Sequence, residues 1–112
     1  MMNLYEELRR LLAPGFYPDN FLQAARLAEE ASWQADAPLA LYVLSRILLA
    51  LGEDWPRQGV ETSVADDMRR TMEPPISSYL ADAATRDLTP EQEAFHLNSI
   101  VRAFLSLRSA HD

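Results

Sequence analysis

The stretch Leu39–Leu51, LALYVLSRILLAL, decides the fold of this chain, because eleven of its thirteen residues are apolar and they occupy every side of a helix. A helix with one face in water would expose several of these side chains, so we expect other helices to pack around it. The stretch is too short to cross a bilayer, since thirteen residues rise roughly 20 Å against a hydrocarbon core of about 30 Å. The sequence therefore predicts a central hydrophobic helix that ends at Gly52, a residue type common just after helix ends.

The composition is that of one globular domain, residues 1–112. Hydrophobic residues make up 48% of the chain and charged residues 24%, and the absence of cysteine excludes disulfides and thiolate metal sites. The net charge of -7 disfavours binding to nucleic acids or anionic membranes and favours a basic partner. The first residues, MMNLYEELRR, lack the charge pattern and apolar run of a signal peptide, so we expect a cytoplasmic protein.

The rest of the chain also has the residue spacing of helices, and no segment shows the alternating pattern of strands. Pro74 and Pro75 predict the end of one helix and the start of the next. Thr89, Pro90 and Gln92 have the residue types of an N-cap, a first and a third helical position, and they predict a capping box. We therefore expect an all-α fold, a compact bundle of five to six helices around the central hydrophobic helix.

Two further patterns concern the packing between helices. Alanines recur along one side of the second helix, and such small side chains let a neighbouring helix, which we expect to be the central one, approach closely. The apolar line around Met68 is thin, whereas the last helix has a wide apolar stripe of Phe95, Leu97, Ile100, Val101, Phe104, Leu105 and Leu107. One copy of a chain this small is not expected to cover both surfaces, so we predict a homodimer through one of these two helices.

Glu93 and His96 form a Glu-x-x-His motif, whose spacing places both side chains on one face of the last helix. Carboxylate-bridged metal sites in helical bundles need two such motifs, and this sequence has one. We therefore predict no metal site, with Glu93 and His96 as the candidates if one exists. The alternative is structural, with Glu93 favoured by the helix dipole and His96 at the edge of the buried stripe. No catalytic residues and no cofactor are predicted, because no nucleophilic triad or phosphate-binding motif is present.

The segment 52–59, GEDWPRQG, is the least regular part of the sequence, and we predict that it is a loop. A tryptophan among charged residues in a loop is typical of a binding hot spot. The alternative is that the indole folds back as a lid over the central helix. The predicted partner-binding residues are Trp55, Glu53, Asp54 and Arg57 from this segment, and Trp33 from the end of the second helix.

Together these patterns favour a small acidic protein-binding module of the adaptor, inhibitor, antitoxin or immunity type, which also self-associates. We expect its partner to be a protein, a basic one, and not a nucleic acid or a membrane. A first alternative is a metal-binding or enzymatic bundle that uses Glu93 and His96. A second alternative is a bundle that binds an apolar small molecule between helices, with a pocket lined by Met68, Met72, Tyr42 and Phe104.

Overall fold

Five α-helices make up the structure, a computed structural model that describes residues 3–13, 18–34, 37–57 and 62–111. Side chains are described for these residues except 18, 54–57, 62–66 and 110–111. The helices are α1 (Leu4–Leu12), α2 (Pro18–Ser32), α3 (Leu39–Arg57), α4 (Thr62–Thr85) and α5 (Pro90–His111). The described residues contain no strand, and the predicted all-α fold is confirmed.

The hydrophobic core is built around α3, as its sequence predicts. Its buried apolar side chains are Ala40, Leu41, Leu44, Ile47, Leu48 and Leu51. The helix is not covered on every side, however; its nearest neighbours in the described part of the chain are α2 and α5. Leu39 and Tyr42 remain exposed on its outer side, together with Arg46. The expectation that all of its apolar side chains are enclosed is therefore wrong at its first turn.

The contact between α2 and α3 is the most extensive between any two helices in the described ranges. Ala24, Ala25 and Ala28 of α2 are buried in the hydrophobic core that the two helices share. Alanine side chains project little from the helix, so the aliphatic side chains of α3 reach close to the α2 backbone. The prediction that α2 neighbours α3 is confirmed.

The sequence predicted that the central helix ends at Gly52. This prediction is wrong, because α3 continues to Arg57. Glycine inside a helix costs about 1 kcal/mol relative to alanine, which tertiary packing can outweigh. Gly52 is buried, and so is Leu51 before it, so this part of the helix is held by the core. Trp55 accordingly belongs to the last turns of α3, and the prediction of a loop beginning at Gly52 is wrong for residues 52–57.

Pro74 and Pro75 lie inside α4 instead of separating two helices. A proline in a helix interior costs about 3 kcal/mol or more, because it removes a backbone hydrogen bond and crowds the preceding turn. Met72 and Ile76, on either side of the pair, are both fully buried. Burial of one continuous apolar line outweighs the local preference of the prolines, so one helix and not two spans this segment.

Local hydrogen bonds fix the starts of α1 and α5. The Asn3 side chain accepts from the backbone N–H of Glu6 at 2.9 Å, and its amide donates to the carbonyl of Ala84 at 3.0 Å, which ties α1 to the end of α4. The Thr89 N–H donates to Gln92 Oε1 at 2.9 Å, and the Gln92 N–H donates to Thr89 Oγ1 at 3.2 Å. The predicted capping box is confirmed.

The five helices form a compact globule with a radius of gyration of 13.5 Å. In the ranges that the structure describes, no helix is both long enough and apolar enough to span a membrane. Although α3 begins with the most apolar stretch of the sequence, it ends in the charged segment that starts at Glu53.

Candidate functional site

An apolar cleft of about 400 Å³ lies between the beginnings of α3 and α5. Its lining residues are Pro38, Leu39, Ala40, Leu88, Pro90, Glu93, Ala94 and Leu97. Glu93 is the charged member of this set. The cleft can therefore enclose an apolar group and place one carboxylate beside it.

Local sequence signals position both walls of the cleft. Pro90 opens α5 immediately after the capping box at Thr89, which fixes where this helix begins. Leu88, in the connection before it, packs against the hydrophobic core. On the opposite wall, Ala40 is buried and anchors the first turn of α3. Both helix starts are thus held by the rest of the fold.

Large apolar side chains are exposed on the first turn of α3, which forms one wall of the cleft. Leu39 is 72% exposed although it opens the helix that forms the core. Tyr42, one turn further along α3, is 46% exposed. Scattered single apolar residues are ordinary on a surface, but neighbouring ones beside an apolar cleft are typical of a binding surface.

Glu93 is held in place by a buried tyrosine. The Tyr79 hydroxyl donates to Glu93 Oε2 at 3.0 Å, and Tyr79 is only 1% exposed. The Tyr5 ring packs edge-on against Tyr79 with their centroids 5.9 Å apart. Burial raises the pKa of Tyr79 far above its ordinary value, and the nearby phenol of Tyr5 and the Glu93 carboxylate raise it further. Tyr79 therefore stays protonated and remains a donor to Glu93.

Burial also raises the pKa of Tyr5, with a smaller contribution from the negative charge of Glu93, while its hydrogen bond with Tyr79 acts in the opposite direction. Tyr5 belongs to α1, Tyr79 to α4 and Glu93 to α5. The three side chains thus join three helices through one polar contact region next to the hydrophobic core.

His96 lies beside this group, one turn after Glu93, and bonds to a different carboxylate. Its Nε2 is 2.9 Å from Asp82 Oδ2. Arg86 donates to both oxygens of Asp82, from Nε at 2.7 Å and from an Nη atom at 3.1 Å. The Arg86 guanidinium, with a smaller contribution from His96, lowers the pKa of Asp82 to about 2. The Asp82 carboxylate is therefore ionised at neutral pH.

These partners bear on the metal-binding hypothesis. Glu93 and His96 both turn towards α4, but they bond to Tyr79 and Asp82 respectively, not to a common centre. Among the residues that the structure describes, no group of three or more His, Asp and Glu side chains is arranged to hold a metal ion. The arrangement that is present orients the Glu93 carboxylate in the wall of the cleft.

The structure describes the side chains of some of the residues predicted to bind a partner, but not of all of them. Trp33 is 70% exposed and Glu53 is exposed, as a binding role requires. Asp54, Trp55 and Arg57 have helical backbone, but their side chains lie outside the described residues. The cleft between α3 and α5 was not predicted from the sequence. The available signal was Leu39, an aliphatic residue at the first position of a helix whose other leucines face the core.

The four residues predicted to line a small-molecule pocket occupy dissimilar environments. Met68 and Met72 are buried in the core from α4, whereas Tyr42 is exposed on α3. Phe104 of α5 is half-buried, and the Arg108 guanidinium lies 5.8 Å above its ring centre. The described apolar cleft lies elsewhere, at the N-terminal ends of α3 and α5.

Comparison with known proteins finds no match. No family model, no curated protein and no solved structure is significantly similar to this chain.

Proposed function

We propose that this chain is a small acidic protein-binding module, and that it holds an apolar side chain of a basic partner segment in the cleft between α3 and α5. The observation that carries the proposal is Leu39, which lines the cleft and is 72% exposed. A cleft of about 400 Å³ falls within the roughly 300–1,000 Å³ of typical binding sites. It accommodates one or two large side chains from a partner.

The charge around the cleft indicates what flanks the apolar anchor. Asp87 precedes the lining residue Leu88, Glu91 follows the lining residue Pro90, and both acids are exposed. Glu93 adds a carboxylate inside the cleft. The nearest base in the sequence, Arg86, is engaged by Asp82. An apolar side chain flanked by lysine or arginine therefore complements the site in both shape and charge.

The site is also ordered before a partner arrives. Tyr79 fixes the Glu93 carboxylate, and the capping box at Thr89 fixes the first turn of α5. A partner does not then have to order these groups on binding, which reduces the entropic cost of association. This favours recognition of a short segment, because a short segment makes too few contacts to compensate for a large ordering cost.

Adaptor, inhibitor, antitoxin and immunity proteins would each use such a surface. The proposal includes a cytoplasmic location, which cell fractionation tests directly. Trp33, exposed before the start of α3, and Trp55, near its end, remain predicted partner-binding residues, and Trp33→Ala and Trp55→Ala belong in the same binding assays.

The proposal is tested by selecting random peptides on the full chain and measuring the affinity of the enriched ones. We expect enriched peptides to carry a leucine, methionine or aromatic residue flanked by lysine or arginine. Ala94→Arg places a long cationic side chain in the cleft at an exposed position and should weaken binding about tenfold or more, or 1.4 kcal/mol. Glu93→Gln should lower the affinity for the basic peptides and increase their dissociation rate.

The matched control is Ala13→Arg, which adds the same side chain at an exposed alanine just after α1, outside the residues lining the cleft. This variant should bind the peptides like the wild type. Enrichment of peptides without basic residues, or equal binding by Ala94→Arg and Ala13→Arg, would contradict the proposal.

A small apolar molecule is a second candidate occupant, because the cleft is lined almost entirely by aliphatic residues. Native mass spectrometry of the purified protein distinguishes the two. A mass adduct that Ala94→Arg loses and Ala13→Arg keeps would favour the small molecule. The metal-binding or enzymatic alternative has weaker support, because Glu93 and His96 bond to separate partners.

A further inference from the structure

A second recess, which we call the notch, lies between the end of α4 and the beginning of α5 and has a volume of about 310 Å³. Its lining residues are Asp82, Arg86, Glu91, Gln92, Phe95 and His96. Most of these side chains are polar or charged, whereas those of the cleft are mostly aliphatic. The notch is therefore suited to a different chemical group from the one that the cleft encloses.

The inner residues of the notch already have partners. Asp82 accepts two hydrogen bonds from Arg86, and its other contact is with His96 Nε2 at 2.9 Å. Gln92 belongs to the capping box, where its Oε1 accepts from the Thr89 N–H. Because the charges of Asp82 and Arg86 cancel, these residues form a wall that by itself attracts neither cations nor anions.

The outer residues, Glu91 and Phe95, are available to a ligand. Glu91 is exposed, and its carboxylate has no hydrogen-bond or ion-pair partner among the residues that the structure describes. Phe95 is 71% exposed, and its ring contacts the buried His96 ring at 5.9 Å between centroids and an angle of 76°. Four positions separate the glutamate from the phenylalanine, so they share one face of α5. A carboxylate beside an exposed aromatic ring suits a guanidinium, which can stack on the ring and donate to the carboxylate.

The notch and the cleft lie on opposite sides of the first turns of α5. Residues 90, 93, 94 and 97 of this helix line the cleft, and residues 91, 92, 95 and 96 line the notch. At about 100° per residue, the centres of these two sets are about half a turn apart. Ala94 and Phe95 are both exposed between them, so a bound segment can pass over the helix from one recess to the other. A helix is about 10–12 Å across with its side chains, and an extended chain covers that distance in about three or four residues.

We propose that the notch binds the guanidinium of an arginine that belongs to the same partner segment whose apolar side chain occupies the cleft. The inference rests on the proposed function and adds to it the identity and the position of one basic residue. The arginine lies about three or four residues from the apolar anchor in the bound segment. It stacks on Phe95 and donates to Glu91. Arginine is preferred to lysine because its planar group makes both contacts at once.

Peptides selected on the full chain test the position of this arginine. Enriched peptides should share an arginine at a fixed distance of about three or four residues from the apolar residue. Lysine in its place should lower the affinity about threefold. Phe95→Ala should lower the affinity of the arginine peptide about fivefold and reduce the preference for arginine over lysine. Leu105→Ala, at another exposed apolar position of α5, is the control and should bind like the wild type.

N-acetylarginine amide probes the notch without the cleft. At millimolar concentration it should shift the backbone amide NMR signals of Glu91 and Phe95. N-acetylcitrulline amide, which is neutral and similar in shape, should not. Glu91→Gln should reduce the response to the arginine probe, whereas Glu6→Gln, the same change at an exposed position of α1, should leave it unchanged. No response to the arginine probe, or a response to inorganic phosphate in its place, would overturn the proposal.

A variant of the opposite recess separates the failure of this inference from that of the proposed function. Leu39→Ala changes the α3 wall of the cleft and leaves the notch intact. If peptides lose affinity for Leu39→Ala but bind Phe95→Ala and Glu91→Gln like the wild type, the cleft proposal stands and the notch proposal is overturned. If no peptide depends on Leu39 while the arginine probe still shifts Glu91 and Phe95, the proposed function fails and the guanidinium site stands alone. Circular dichroism on each variant checks that the helices are intact.

Discussion

Helices α2 and α3 meet through small and aliphatic side chains, whereas α4 and α5 are also joined by hydrogen bonds between polar groups. Ala24 and Ala28 of the first pair are buried in the same core cluster as the leucines of α3. The second pair adds the contacts of Tyr79 with Glu93 and of Asp82 with His96. Apolar packing is non-directional, while a hydrogen bond fixes the position of particular atoms. The polar pair is therefore the one that can hold a charged group in a binding cleft.

The largest loss of stability should come from a substitution in the apolar pair of helices, α2 and α3. Leu48→Ala removes a fully buried side chain of α3 and should lower the free energy of unfolding by about 2–5 kcal/mol, because the remaining cavity adds to the lost transfer energy. Urea denaturation followed by circular dichroism measures it. Leu39→Ala, on the same helix but 72% exposed, is the control and should stay within about 0.5 kcal/mol of the wild type. Equal losses in the two variants would mean that α3 does not form the core.

A smaller effect is expected from the polar pair. Tyr79→Phe keeps the ring and deletes the hydroxyl that donates to Glu93, and hydrogen bonds to charged groups contribute about 1.5–3 kcal/mol. The same denaturation assay measures this loss. Tyr42→Phe, at an exposed tyrosine, should change little. If Tyr79→Phe were neutral, the Tyr79 contact would not hold Glu93, and the pre-ordering of the cleft would lose its support.

The capping box is expected to contribute less again. Thr89→Ala leaves the Gln92 N–H without its side-chain acceptor and should cost about 1 kcal/mol, within the range of 0.5–2 kcal/mol known for such caps. Thr85→Ala is the comparison, because the Thr85 hydroxyl bonds only to carbonyls in the last turn of α4. In thermal unfolding, Thr89→Ala should have a lower melting temperature than Thr85→Ala. The opposite order would show that the start of α5 is fixed by other contacts.

Features of the fold that depend on neighbouring residues could be predicted from the sequence. The capping box needs only Thr89, Pro90 and Gln92, and the structure has it. Predictions of helix ends were wrong at Gly52 and at the proline pair in α4, because burial of side chains from distant parts of the chain outweighed local preferences. Local helix preferences can be read from neighbouring residues in a sequence, whereas the burial of a side chain depends on the whole fold.

The candidate site was less predictable than the fold for the same reason. The spacing of Glu93 and His96 shows that they share a face, but their partners Tyr79 and Asp82 come from another helix. The cleft depends on how the starts of α3 and α5 are placed relative to each other, and no motif encodes that placement. The local sign in the sequence was Leu39, an aliphatic residue at the start of a helix.

The smallest expected effect concerns pH, because the stability that the α4–α5 contacts contribute should depend on pH and that of the α2–α3 contacts should not. The pKa of Asp82 is lowered from 3.8 to about 2 in the folded protein, first by Arg86 and then by His96. A lowered pKa means that the interaction is fully present above the ordinary value of 3.8 and is lost as the pH falls through about 2. Asp82→Asn should therefore be less stable than the wild type at neutral pH, and the difference should vanish across this window.

Urea midpoints measured between neutral and acidic pH give this difference directly. Asp87→Asn removes one negative charge at an exposed position without removing the Arg86 and His96 contacts, and it serves as the matched control. The stability of Leu48→Ala relative to the wild type should be nearly constant over the same range, because its loss is apolar. A constant gap for Asp82→Asn would show that the contacts of this carboxylate do not contribute to folding. The polar pair would then differ from the apolar pair in geometry alone.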